Sequence, residues 1–264
     1  MLRKTLFAGI AMALSLAVAG LAGVNPANAQ EKTYVNGIDE SFPPFAYMDN
    51  NGNPAGFDVD AMNWIADKMG FKVEHRPMDW NTIIPSLKTK RIDMVCSGMS
   101  VNEERSKEVN FSEPYYRSSP VLVVLPDTEL TRDEIFTGNM NLGIQRGTSE
   151  AQWLEKNKEP NNWNYTLMYY DNQTMAIEDL INGRVKVIGT DDVSAMEAIA
   201  QGRKIKILAP YGEATDFAVA VRKEDNELRD LINEGYKQLK ADPYWEEIKA
   251  KHNIQEFNPD EFKN

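Results

Sequence analysis

From residue 33 onward the chain alternates short apolar runs with segments whose apolar residues recur at helical spacing, the pattern of an α/β protein. "TYVNGID" (33–39) reads as a strand entering a loop, "ESFPPFAYMDNNGNPAG", rich in turn residues. In 58–69 the residues Val59, Met62, Ala66 and Met69 fall at helical spacing, and Gly70 closes the helix. "FKVEHRP" reads as a strand, "WNTIIPSLKTK" as a short helix and "IDMVCSG" as a nearly continuous buried strand. After "VNFSEPYYRSSPVLVVLP" the pattern restarts with "NLGIQ", a helix from Ser149, "YTLMYY", a helix from Thr174, and "RVKVIGTDD". Two amphipathic helices near 226–240 and 243–252 follow, and no repeat or low-complexity segment interrupts the series. Two similar α/β sets therefore lie in tandem, joined through "YYRSSPVLVV"; the second ends at "IKILAP", and "EATDFAVAVRK" reads as a strand returning to the first. Lobe 1 is then 30–116 with 217–264, and lobe 2 is 117–216. Two crossings, near 115–119 and 213–217, predict a hinge with a ligand cleft between the lobes.

The first 29 residues do not fit this pattern. Arg3 and Lys4 precede a long apolar stretch, and Ala27-Asn28-Ala29 is a small-residue cleavage box, so 1–29 reads as a cleaved secretory signal peptide. No cysteine stands at the junction to carry a lipid, and no second apolar run of membrane-spanning length follows. Removing residues 1–29 changes the balance from 29 bases and 40 acids to 27 and 40, a net −13. Such a chain repels nucleic acid and anionic lipid. The sole cysteine, Cys96, has no partner for an internal disulfide and reads as a small buried apolar residue. His75 and His252 lie in polar contexts, read as surface positions, and form no metal-ligand spacing with Cys96.

One short stretch carries unusual chemistry. In "CSGMSVNEERSK" Asn102 is a good N-cap, yet the third helical position holds Arg105, a cation opposing the helix dipole. That side chain leans back toward the helix start, where Ser97, Gly98 and Ser100 end the apolar run. A guanidinium fork there matches a carboxylate.

With these residues in view, "GFDVDAMNWIADKMG" resembles the signature of bacterial periplasmic solute-binding proteins of the polar amino-acid family, the receptors of ABC importers. Ala61 departs from that signature, which prefers a larger aliphatic residue. "DESFPPFAY", "MDWNTIIPSLKTKRIDMVCSGMSVNEERSKEVNFSEPYY", "GIQRGTSE" and "VIGTDD" extend the resemblance over nearly all of 33–254. It implies a two-lobed type II periplasmic-binding fold that closes on one amino acid.

The resemblance also implies roles. Arg105 holds the ligand's α-carboxylate, with Ser97, Gly98 and Ser100 beside it. The amides of Thr148 and Ser149, at a helix start, form an anion site on the other lobe. Asp191, just past a strand end, binds the α-ammonium; its simpler role is a helix N-cap. Asp39, Phe42, Trp80 and Glu150 build the side-chain pocket and Gln145 is a further ligand-binding residue, although an aromatic residue after a strand is also a common core residue, and Asp39 and Glu150 also suit a turn and a first helical turn. Two acids against one unassigned base, Arg146, point to a cationic ligand side chain. Glutamine is the alternative. The chain is thus expected to be a periplasmic monomer that binds a free amino acid, uses no cofactor or metal, performs no catalysis and docks on a membrane permease. A dehydratase-like enzyme using Glu150 and a sensory partner are the competing classes.

Overall fold

A computed structural model of the chain describes residues 31–262; the segment 1–29 read as a signal peptide lies outside the described residues. Two five-stranded sheets organise the molecule as two α/β lobes. In the first sheet the strands run in the order Lys72–Met78, Thr33–Asp39, Met94–Val95, Ala220–Arg222 and Val109–Phe111. The first three are parallel, and Ala220–Arg222 is antiparallel to both of its neighbours. The second sheet repeats the plan with Tyr165–Tyr170, Met140–Gln145, Val187–Asp191, Pro120–Val124 and Lys206–Pro210. Here too the first three are parallel and the fourth antiparallel. Every side chain of Pro120–Val124 and Val187–Asp191 is buried, as expected of strands covered on both faces by helices.

The helices seat on these sheets through the apolar faces the sequence marks. The helix Phe57–Met69 buries Phe57, Val59, Ala61, Met62, Ile65 and Ala66. It packs against Asn226–Ala241, which turns Leu228, Ile232, Gly235, Tyr236 and Leu239 inward. A Cβ at Gly235 would stand 2.4 Å from Ile65 Cγ2, so the close approach of these helices requires glycine there. Between the lobes, Tyr116–Ser118 and Thr215–Phe217 pair antiparallel as a two-stranded ribbon at the two chain crossings.

Three local expectations change. The apolar run "IDMVCSG" is buried, but only Met94–Val95 is a strand. Beyond it the Asn36 side chain takes over the ladder: its Oδ1 accepts from the Cys96 amide at 2.7 Å and its Nδ2 donates to the Cys96 carbonyl at 3.2 Å. His252, read as a surface residue, is 9% exposed, with Nε2 2.6 Å from Asp60 Oδ2. His75 is half-buried between Asn36 and Asn63, and burial lowers its pKa to about 4.

Candidate functional site

At the carboxyl ends of the parallel strands, where open α/β sheets place ligand groups, lies a cavity of about 420 Å³ lined from both sheets. The structure brings all the residues singled out above onto its walls. Asp39, Phe42, Trp80, Ser97, Gly98, Ser100 and Arg105 come from the first lobe; Gln145, Thr148, Ser149, Glu150 and Asp191 come from the second.

Arg105 occupies the third position of the helix Glu103–Glu108, whose N-cap Asn102 accepts from the Arg105 amide at 2.8 Å. Only 5% exposed, its guanidinium donates to the Ser100 carbonyl at 2.9 Å and across the cleft to the Gly147 carbonyl at 3.1 Å. The Trp80 ring lies 5.4 Å from it. These bonds use two of the five guanidinium N–H donors. Burial lowers the Arg105 pKa to about 10, opposed by the Glu150 and Glu104 carboxylates; the group stays charged.

Gly98 needs its residue type twice over. Its φ is +56°, and a Cβ would stand 2.3 Å from Phe42 Cε1. Its amide donates to Asp58 Oδ2 at 2.7 Å, and the Tyr115 hydroxyl donates to the same oxygen at 2.7 Å. Asp58 is fully buried, and burial pushes its carboxyl up to about 7. Asp58 therefore braces this wall from behind, a role the sequence pattern does not reveal.

On the second lobe, Thr148 caps the helix Ser149–Lys158 by accepting from the Ala151 amide at 3.2 Å. Asp191 caps Asp192–Ala200: one oxygen accepts from the Ser194 amide at 2.8 Å and the other from the Ser194 hydroxyl at 2.9 Å. It is thus a helix cap and a cavity wall at once. Burial pushes its carboxyl up to about 7, the Glu150 carboxylate adds to the rise, and the Ser194 bonds oppose it. Gln145 Nε2 donates across the cleft to Asp39 Oδ2 at 2.9 Å. Asp39, 4% exposed, is raised by burial, against the bonds from Gln145 and Ser41. Further contacts bridge the lobes: Trp80 Nε1 donates to the Gly147 carbonyl at 3.2 Å, and Asn102 Nδ2 donates to Gln152 Oε1 at 3.0 Å.

Arg146 does not enter the cavity. It is exposed, with its guanidinium 5.3 Å from the Tyr169 ring centre. One cation, Arg105, therefore faces three carboxylates, Asp39, Glu150 and Asp191, on the cavity wall. Ile144, Gln173, Gly189, Thr190 and Phe217 complete the lining and were not anticipated. Gln173 follows a strand end and is reachable by the same positional rule that flags Asp191; Phe217 lies on the crossing ribbon, which only the pairing reveals. Among the described residues no group of three or more His, Cys, Asp or Glu side chains is placed to hold a metal.

The two lobes, the ribbon between them and a cavity of this kind define a bilobal binding protein. The chain belongs to the bacterial extracellular solute-binding proteins, family 3, whose family model matches residues 34–255. It is 28% identical over 227 residues to ABC transporter arginine-binding protein 1 of Escherichia coli (strain K12), covering 84% of this chain and 90% of that protein. The arginine-binding periplasmic protein of Mannheimia haemolytica is 30% identical, covering 80% of this chain and 87% of its own. An ancestral arginine-binding protein bound to arginine superposes with a TM-score of 0.77 at 33% identity, over 84% of this chain and 98% of that one. The structure of an ancestral arginine-binding protein bound to glutamine gives 0.76 at 32%, over 85% and 99%. The ancestral amino acid-binding protein AncCDT-1, a precursor of cyclohexadienyl dehydratase, gives 0.76 at 28%, over 83% and 95%.

Proposed function

We propose that this protein is a periplasmic receptor that captures a basic L-amino acid between its lobes and delivers it to an ABC importer. The observation that carries the reading is the charge of the cavity: one guanidinium against three carboxylates, with Arg146 directed away. In this reading Arg105 holds the α-carboxylate, beside Ser97, Gly98 and Ser100, and the amides at Thr148 and Ser149 hold it from the other lobe. Asp191 takes the α-ammonium. Phe42 and Trp80 flank the side chain, and Asp39, braced by Gln145, and Glu150 face its charge. An α-amino acid zwitterion is neutral, so a cationic side chain offsets the remaining anionic excess. Opposite charges about 4 Å apart gain roughly 4 kcal/mol at an effective dielectric near 20, and an acidic side chain meets repulsion of the same order. The arginine-binding relatives support the same class.

Glutamine is the second reading. Asp39 already accepts from a neutral amide at 2.9 Å, and an ancestral arginine-binding protein is known with glutamine bound. A thermal-shift panel of the common amino acids separates the two. Arginine, lysine, ornithine or histidine is expected to raise the melting temperature most; stabilisation by glutamine or glutamate alone overturns the basic assignment.

The protein is read as a receptor and not an enzyme, since AncCDT-1 is itself described as an amino acid-binding protein. Export through cleavage after Ala29, the monomeric state and lobe limits of 30–116 with 217–264 and 117–216 belong to the same reading. So does a hinge at 115–119 and 213–217, supported by the ribbon formed there.

A further inference from the structure

One polar group on the cavity wall has no task in the site as described. Gln173 opens the helix Gln173–Ile181 and is 6% exposed, yet its Nε2 has no hydrogen-bond partner among the described residues. Desolvating an amide donor without pairing it is unfavourable, so packing alone does not account for the residue. Nor is it enclosed by core. Gln173 lines the Arg105 cavity and also an adjoining cavity of about 470 Å³ that Pro43, Ile177 and Arg203 help to bound, so the residue stands between two spaces.

Other residues lining the same cavity define what it can read. Gln145 Nε2 donates to Asp39 Oδ2 at 2.9 Å and lies 3.5 Å from the Asp171 carbonyl, two residues before Gln173. Asp39 Oδ1 is engaged by the Ser41 amide at 2.9 Å. Each oxygen of that carboxylate therefore already accepts one bond and keeps one acceptor site, so a ligand group with five N–H donors needs further acceptors nearby. Turning the Gln173 amide by half a turn exchanges Nε2 for Oε1 without changing its shape. An ammonium concentrates its three donors on one atom, whereas a guanidinium spreads five donors over a plane and is best met by acceptors spaced apart.

We infer that Gln173 is a specificity-determining residue of the side-chain subsite: its amide oxygen accepts from a planar guanidinium beside Asp39 and favours arginine over lysine and ornithine. The inference rests on the basic-ligand reading above. Titration calorimetry with L-arginine, L-lysine and L-ornithine on the full mature chain, Gln173→Met and Gln173→Glu tests it. The unaltered protein is expected to prefer arginine. Gln173→Met is expected to lose roughly 10- to 100-fold in arginine affinity, the scale of a hydrogen bond to a charged group, while lysine and ornithine change less than about threefold. Gln173→Glu, which keeps an oxygen acceptor, is expected to retain arginine binding, and Gln173→Leu, which keeps none, carries the test of loss if the Met variant does not fold. Equal losses for all three ligands in the variant without an acceptor, or none there, overturn the specificity role while leaving the basic-ligand reading intact. An unaltered protein that binds basic amino acids without preferring arginine also overturns it. If the unaltered protein binds none of the three, the basic-ligand reading falls and this inference falls with it.

Discussion

The two charged clamps assigned to the ligand backbone are held by different means, and that sets how each responds to change. Arg105 is anchored by carbonyls on both sides of the cleft, so its geometry exists before a carboxylate reaches it. Removing one partner of a buried charge pair typically costs about 2–5 kcal/mol, or roughly 30- to several-thousand-fold in affinity. Arg105→Ala is expected to weaken binding on that scale by titration calorimetry; a change below about threefold removes it from the site. Asp191 carries a built-in cost, because its carboxyl titrates near 7 in the folded chain against about 3.9 when unfolded. Between those values the folded state binds more protons, so Asp191 lowers fold stability as pH rises from about 4 to 7. Asp191→Asn keeps a good N-cap, and is expected to melt higher than the unaltered chain at pH 8 without ligand while binding far more weakly. In the proposed complex the ligand's ammonium would hold the carboxylate charged and lower its pKa. Affinity is therefore complete above pH 7 and falls by up to about tenfold per unit below it, with proton release on binding near pH 7. Calorimetry in two buffers of different ionisation enthalpy checks the release, which Asp191→Asn is expected to abolish.

Among the elements, those with strong periodicity were legible and those defined by partners were not. The helix Phe57–Met69 repeats its apolar residues over thirteen positions and ends at Gly70 in the left-handed region, with φ +74°, as the sequence implies. The strand at Met94–Val95 contracts because Asn36, far away in sequence, replaces the ladder with its side chain. Gly98 was legible as a point of close approach, but what approaches is Phe42, and what fixes it is Asp58. Gly98→Ala forces a side chain into a positive φ and against a ring, and such strain typically costs about 1–3 kcal/mol. A lower melting temperature together with weaker ligand binding is expected, because Phe42 must move to admit the methyl group. An unchanged melting temperature shows that the wall is softer than this geometry implies.

For the whole molecule, the hinge proposal makes closure the readout of binding. Trp80, Arg105, Asn102 and Asp39 of the first lobe each hydrogen-bond a residue of the second, so separating the lobes breaks all four links together. A ligand that binds both lobes shifts the population toward the form that keeps these links. Saturating ligand is expected to reduce the radius of gyration by small-angle scattering and to protect Trp80 fluorescence from a soluble quencher. If neither changes, the hinge reading fails. The tail adds a further tie: Ile254 packs in the first lobe's core, and Phe257 packs against residues of the second.

Local order was readable because it is written in neighbours: Asn102 three residues before Arg105, apolar spacing along the helices, turn residues after Asp39, and the tandem order of the two α/β sets. The candidate clamps were flagged on different local grounds: a cation in a first helical turn conflicts with local preference and points outward to a partner, whereas Asp191 satisfies the preference of a helix N-cap and was marked by its place just past a strand end. Tertiary structure alone decided which way Arg146 turns and therefore the sign of the cavity, because a flexible exposed side chain has no sequence-local reason to prefer Tyr169. It also decided that Asp58 lies buried behind Gly98, that His252 is covered, and that Gln173 stands between two cavities, since burial of a polar group depends on chain segments that approach from elsewhere in the fold.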